Sequence, residues 1–90
     1  MMSHNQLELF AAAVLKVLDA NNTQFGLTTP AIRLMVRQFG FNPSEAETIN
    51  ALEYLAGKGF VGQTPKVLVR VNRAWKITDE GRQYLDDYNL

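Results

Sequence analysis

The spacing of apolar residues changes along this chain, and that change constrains the fold more than any other feature. Up to Gly57 the apolar residues recur at the three- and four-residue intervals of amphipathic helices. Between Val67 and Ile77 the apolar residues alternate along two short runs, as in strands with one buried face. After Thr78 the helical interval returns. The sequence therefore predicts an α+β protein that is mostly helical.

The first two helices have recognisable ends. The first is predicted from Asn5 to Ala20, with Asn5 opening a capping-box pattern. A short extended link at Phe25-Gly26-Leu27 follows it. The second helix is expected to use Thr29 as its cap and Pro30 in its first turn, where the missing N–H costs nothing. Gly40 should end this helix as a C′ glycine.

The third and fourth helices are predicted in the same way. The third spans Pro43–Ala56, with Asn42 as cap, Pro43 at the first helical position and Glu45 at the third. Its expected apolar stripe consists of Ile49, Leu52, Leu55 and Ala56. Thr78 is predicted to cap the fourth helix, which runs from Asp79 to about Tyr88. The face that this helix should bury consists of Gly81, Tyr84, Leu85 and Tyr88.

Between these two helices the alternating residues predict a β-hairpin. A three-residue loop at Asn72–Ala74 would place Val71 opposite Trp75 and Val69 opposite Ile77. A two-residue loop would pair Val69 with a lysine and disrupt the apolar face. Because register follows the buried face, the three-residue loop is the expected one.

Length and composition limit the classes of protein that this chain can belong to. Its 90 residues suit one domain, taken as 1–90 with a flexible start at 1–5. The chain has no cysteine, and its longest nearly apolar run, Leu9–Leu18, is too short to span a bilayer. A cytoplasmic protein without membrane contact is expected. With His4 as the only histidine and no phosphate-binding glycine loop, we expect no metal, no cofactor and no enzymatic activity.

The predicted order of helix, short strand, helix, helix, hairpin and helix resembles the winged helix-turn-helix fold. In that fold a three-helix core is followed by a two-stranded wing and a C-terminal helix. Two stretches strengthen the resemblance: LEYLAGKGFV at 52–61 and WKITDEGRQYL at 75–85 are similar to passages of MarR-like and PadR-like regulators. The resemblance implies a small DNA-binding protein of bacterial or phage type, either a transcriptional regulator or an accessory factor.

The resemblance also implies which residues would contact double-stranded DNA. The helix Pro43–Ala56 would enter the major groove, where Asn can pair with adenine and Glu can accept a hydrogen bond from cytosine. Its outward residues are expected to be Ser44, Glu47, Asn50, Ala51 and Tyr54, with Lys58 at the end. The basic residues expected at the phosphates are Lys66, Arg70, Arg73 and Lys76 of the wing, with Arg33 of the preceding helix.

The charge distribution leaves the partner open. The chain is neutral overall, but the segment 58–76 carries five basic residues and no acidic one. Such a segment can contact phosphate, or it can be a solvated sheet edge protected from pairing by charge. The third helix instead contains three glutamates and no basic residue. The alternative function is therefore a winged-helix module that docks a protein partner through this acidic helix.

A homodimer is the remaining expectation. Tyr84 and Tyr88 on the last helix, with Leu9, Ala12 and Ala13 on the first, could form an interface between two copies. The same residues could instead pack the two ends of one chain against each other, and the sequence does not decide between these arrangements.

Overall fold

A computed structural model describes residues 4–22, 26–64 and 74–87. Within these ranges the chain forms four α-helices and a three-stranded antiparallel sheet, which confirms the mostly helical α+β class. The helices are α1 (His4–Ala20), α2 (Thr29–Met35), α3 (Glu45–Gly57) and α4 (Asp79–Asp87), and a 3-10 turn at Val36–Phe39 extends α2. The strands are β1 (Leu27–Thr28), β2 (Val61–Gln63) and β3 (Ala74–Ile77).

The last strand in the chain is the middle strand of the sheet, whose order is β1-β3-β2. On one side Leu27 pairs with Trp75, and on the other Gln63 pairs with the same residue. Val61 pairs with Ile77. Because side chains alternate along a strand, Trp75 and Ile77 both face the core and are buried.

The predicted hairpin register is wrong. Trp75 is paired on both sides by β1 and β2, so Val71 cannot be its partner. Ala74, expected in the loop, belongs to β3 and is buried. The strand that pairs with Ile77 is β2, which contains a glycine and a glutamine and has almost no alternating pattern. The alternating residues Val67, Val69 and Val71 lie outside the described residues.

The core is built around α1, which packs against α3, α4 and β3. Contact with several elements explains why α1 buries a wide surface, in which Ala13 and Leu15 are buried beside Phe10 and Val14. The other large buried side chains come from every part of the fold: Phe10, Val14, Val17, Leu18, Ile32, Val36, Leu52, Leu55, Trp75, Ile77 and Leu85. Among the residues described, no helix combines the length and apolar character needed to cross a membrane.

Two of the predicted helix ends are confirmed. Thr78 caps α4, because its hydroxyl oxygen accepts a hydrogen bond from the Gly81 amide at 3.0 Å. Gly40 ends the 3-10 turn with a φ of 87°, a conformation that glycine adopts without strain. On α4, Gly81 and Leu85 are buried as predicted and Tyr84 is half-buried, whereas Tyr88 lies beyond the described part of the chain.

Three predicted caps are wrong, each by a small displacement. The cap of α2 is Thr28, whose hydroxyl accepts a hydrogen bond from Ala31, so Thr29 is already helical. The cap of α3 is Ser44, so Asn42 and Pro43 precede the helix. Helix α1 already includes His4, which places Asn5 inside the helix. For α2 and α3 the observed cap is a polar residue one or two positions from the predicted one, and backbone geometry decides between them.

Candidate nucleic-acid interface

Helix α3 begins with a complete capping box between Ser44 and Glu47. The Glu47 amide donates to the Ser44 hydroxyl at 3.1 Å, and the Ser44 amide donates to Oε1 of Glu47 at 2.9 Å. The Ser44 amide lowers the pKa of the Glu47 carboxyl, because a hydrogen bond to a carboxylate favours the charged form. Both predicted contact residues therefore use their side chains in hydrogen bonds that stabilise the first turn of the helix.

The buried face of α3 differs from the predicted stripe. It consists of Thr48, Ala51, Leu52 and Leu55, whereas Ile49 is only half-buried and Ala56 is exposed. Thr48 can be buried because its hydroxyl donates to the Ser44 carbonyl at 2.9 Å, which satisfies its polar group. Ala51, predicted to face outward, is 0% exposed, and that prediction is wrong. Apolar character alone would place Ile49 on the buried face of α3. Thr48, whose hydroxyl is hydrogen-bonded, occupies that position instead.

The opposite surface of α3 consists of Ala46, Asn50, Glu53 and Gly57, which recur every three or four residues and are all exposed. We call these four residues the α3 outer face. Asn50, a predicted contact residue, lies here. Glu53 is not among the predicted contacts, although its spacing of three residues from Asn50 puts both on one surface. The predicted apolar stripe is rotated about the helix axis from the observed buried face. For this reason the sequence prediction misses Glu53 as a neighbour of Asn50.

Tyr54 and Lys58 lie on the flank of α3 that faces α1. The ammonium of Lys58 is 5.1 Å from the centroid of the Tyr54 ring, within the range of a cation–π contact. With Ala11 and Ala12 of α1 they line a depression of about 390 Å³. Tyr54 is four residues from Asn50 and so neighbours it on the helix surface, but it is half-buried against α1.

The predicted basic contacts fall into two groups. Arg33 donates through Nε to the Pro43 carbonyl at 3.3 Å, so it ties α2 to the turn before α3. Lys76 lies opposite Gly62 and is half-buried on the sheet surface that faces away from Trp75. The remaining predicted contacts, Lys66, Arg70 and Arg73, lie outside the described residues.

The described residues on either side of the segment 65–73 are hydrogen-bonded to each other: the Thr64 amide donates to the Ala74 carbonyl at 3.0 Å. The sequence of the segment, PKVLVRVNR, carries three basic residues and no acidic one. In the order of the chain, α3 is followed by a short turn, then by β2, and then by this basic segment.

The predicted dimer surface is only partly exposed. Ala13 is buried in the core, so it cannot contact a second copy. Leu9 is 65% exposed, and with Ala12 and Tyr84 it borders a second depression. The Tyr84 ring stacks on Phe60 with centroids 4.7 Å apart, an intramolecular contact. Dimer formation stays a prediction.

No family model, curated protein or solved structure matches this chain. In the described ranges, no group of three His, Cys, Asp or Glu side chains could hold a metal ion.

Proposed function

We propose that this chain binds double-stranded DNA as a small winged-helix protein, a transcriptional regulator or an accessory factor. The observation that carries the proposal is the exposed α3 outer face, which no described element covers. The sequence that follows α3 and β2 carries the basic residues Lys66, Arg70 and Arg73. A bare helix surface can enter a groove, and cationic side chains can contact the phosphates beside it.

The order of the elements supports the winged-helix part of the proposal. The three helices α1 to α3 precede β2 and β3, which would form the base of the wing, and α4 follows them. Strand β1 lies between α1 and α2 and pairs with β3. This is the order that the resemblance implies, with the short first strand joined to the hairpin.

The dimensions of α3 support binding in the major groove. An α-helix with its side chains is about 10–12 Å wide, and the major groove is about 12 Å wide. Ala46 and Gly57, at the two ends of the outer face, have a small side chain or none. The helix backbone can therefore come close to the base edges. Lys66, Arg70 and Arg73 of the wing would then neutralise phosphates beside the groove and release counterions.

Fluorescence anisotropy with a labelled random-sequence duplex, from low to physiological salt, tests this proposal. We expect affinity that falls steeply as salt rises. In the variant R70A/R73A the slope of log K against log salt should decrease in magnitude by about 0.9 for each phosphate that the variant no longer neutralises. Lys76→Ala should weaken binding in the same direction if it also contacts phosphate.

Arg82→Ala is the control, because it removes one arginine charge from α4, where Arg82 pairs with Asp19 at 3.5 Å. Its salt slope should equal that of the unchanged protein. If the unchanged protein binds no duplex even at low salt, DNA binding is excluded. If R70A/R73A leaves the slope unchanged, the wing has no part in binding.

A second candidate function is favoured by the sign of charge on α3. Glu45 and Glu53 are exposed there, and the α3 outer face carries no cation. A protein partner with a basic patch would fit this surface. This candidate predicts no DNA affinity at physiological salt, and a co-purifying partner that E45K/E53K loses and the α4 variant Glu80→Lys retains.

A further inference from the structure

We propose that Asn50 and Glu53 are the base-reading pair of this protein, with Asn50 selecting adenine and Glu53 selecting cytosine in neighbouring base pairs. The inference rests on the proposed DNA binding and adds the identity of the bases. It differs from the sequence prediction in the glutamate, since Glu47 is committed to the capping box.

The structure removes the other candidates on α3. Ser44 and Glu47 bond to each other across the first turn, Ala51 is buried, and Tyr54 lies under Lys58. Asn50 and Glu53 are exposed, and their side chains make no hydrogen bond or ion pair within the part of the chain that the structure describes. They are the two polar side chains of the α3 outer face.

Their spacing matches neighbouring base pairs. Residues three apart in a helix are separated by about 4.5 Å along its axis. Stacked base pairs are separated by about 3.4 Å. Asn50 and Glu53 can therefore reach consecutive pairs when α3 follows the groove, and Ala46 and Gly57 beside them leave the approach open.

The chemistry of the two groups differs. The Asn50 amide can donate to N7 and accept from the N6 amino group of adenine at once. The Glu53 carboxylate only accepts, so it needs an amino group with one side that no acceptor occupies. Cytosine N4 has such a side toward its C5–H, opposite O6 of the paired guanine. Adenine N6 instead lies between N7 and thymine O4, and both of these repel the carboxylate. The phosphates repel Glu53 at every site, and only a site with this cytosine offers a hydrogen bond that offsets the repulsion. Glu53 therefore lowers the affinity for all other sites.

The test is selection of binding sites from a random duplex library with the unchanged protein, Glu53→Gln and Asn50→Ala. The unchanged protein should select adjacent adenine and cytosine positions. Because glutamine pairs bidentately with adenine, Glu53→Gln should change the selected cytosine to adenine, and its preference for cytosine should fall at least about fivefold. Its affinity for random duplex should rise at low salt, since a repelled charge is removed.

Asn50→Ala should lose the adenine preference and keep the cytosine preference. Glu80→Gln is the matched control: the same charge is removed from α4, and the selected site should not change. If the unchanged protein binds DNA without sequence preference, or if Glu53→Gln selects the same bases, the inference is wrong while DNA binding stands. If the unchanged protein binds no duplex at low salt, both proposals fall.

Discussion

At Gly81 the backbone of α4 lies close to Phe60, in the turn after α3. A Cβ atom at this position would collide with the carbonyl oxygen of Phe60 and lie 2.7 Å from Cγ1 of Ile77. The Phe60 carbonyl cannot retreat easily, because it accepts a hydrogen bond from the Thr78 amide at 2.9 Å. The close approach of α4 therefore depends on the missing side chain.

Gly81→Ala should destabilise the protein, although alanine favours helices over glycine by about 1 kcal/mol. Overpacking of this kind costs about 1–3 kcal/mol. Urea denaturation followed by far-ultraviolet circular dichroism measures the change. Gly57→Ala is the matched control, since a Cβ there meets no atom within 4 Å and should leave stability equal or higher. An equally stable Gly81→Ala variant would contradict the packing argument.

Single residues show how far helix ends can be predicted from sequence. Thr78 is correctly predicted as a cap, because it is the one polar residue between a strand pattern and two acidic residues. The proline after Asn42 favours that residue over Ser44, yet the capping box of Ser44 and Glu47 satisfies two amides at once. Competition between adjacent caps is decided by backbone angles that composition does not contain.

Among the elements, α3 has an end whose stability depends on pH. The folded pKa of Glu47 is lowered, chiefly by the hydrogen bond from the Ser44 amide. The unfolded chain therefore binds more protons in the acidic range, so stability should rise with pH there. This contribution is complete above the usual pKa of a glutamate and is lost as pH falls through the lower folded value.

Glu47→Gln should remove this pH dependence, because glutamine can form the same capping box without titrating. We expect the unfolding midpoints of the two proteins in urea to converge as the pH is lowered from neutral to about pH 3. The other carboxyl groups are common to both chains and cancel in the difference. A difference that stays constant over this range would mean that the Ser44–Glu47 bond does not favour the charged carboxyl.

The strands show where pattern fails at the scale of elements. The alternation of Val67, Val69 and Val71 predicts a strand, whereas the three residues of β2 give no such signal. Strand β2 forms because β3 offers it hydrogen bonds and because Val61 reaches the core. Pairing between distant segments depends on the assembled fold, so local alternation cannot reveal it. On the α3 outer face, Asn50 is predicted from the sequence and Glu53 is not. The reason is that the apolar pattern does not indicate that Thr48 is buried.

At the scale of the whole molecule, Trp75 reports on most of the fold at once. It is the only tryptophan, it is 4% exposed, and its strand pairs with both other strands and packs on α1. Its indole N–H has no hydrogen-bond partner among the described residues. The environment of this ring should therefore persist only while helices and sheet are assembled together.

We expect tryptophan fluorescence and far-ultraviolet circular dichroism to give the same unfolding midpoint in urea. Coincident transitions are the mark of one cooperative unit, and they would support a single domain over residues 1–90. A fluorescence change at lower urea than the loss of helix would instead show that the sheet separates from the helices. Glu80→Gln is a suitable control, because an exposed side chain on α4 should change neither signal relative to the other.

The central position of β3 has a consequence for the chain during its synthesis. Strands β1 and β2 are made first, but among the described strands each is hydrogen-bonded to β3 and not to the other. A nascent chain that has not reached Ala74 holds two strands without a shared partner and a helix α1 without the β3 and α4 side of its packing. The core of the described residues can therefore close only after β3 has been synthesised.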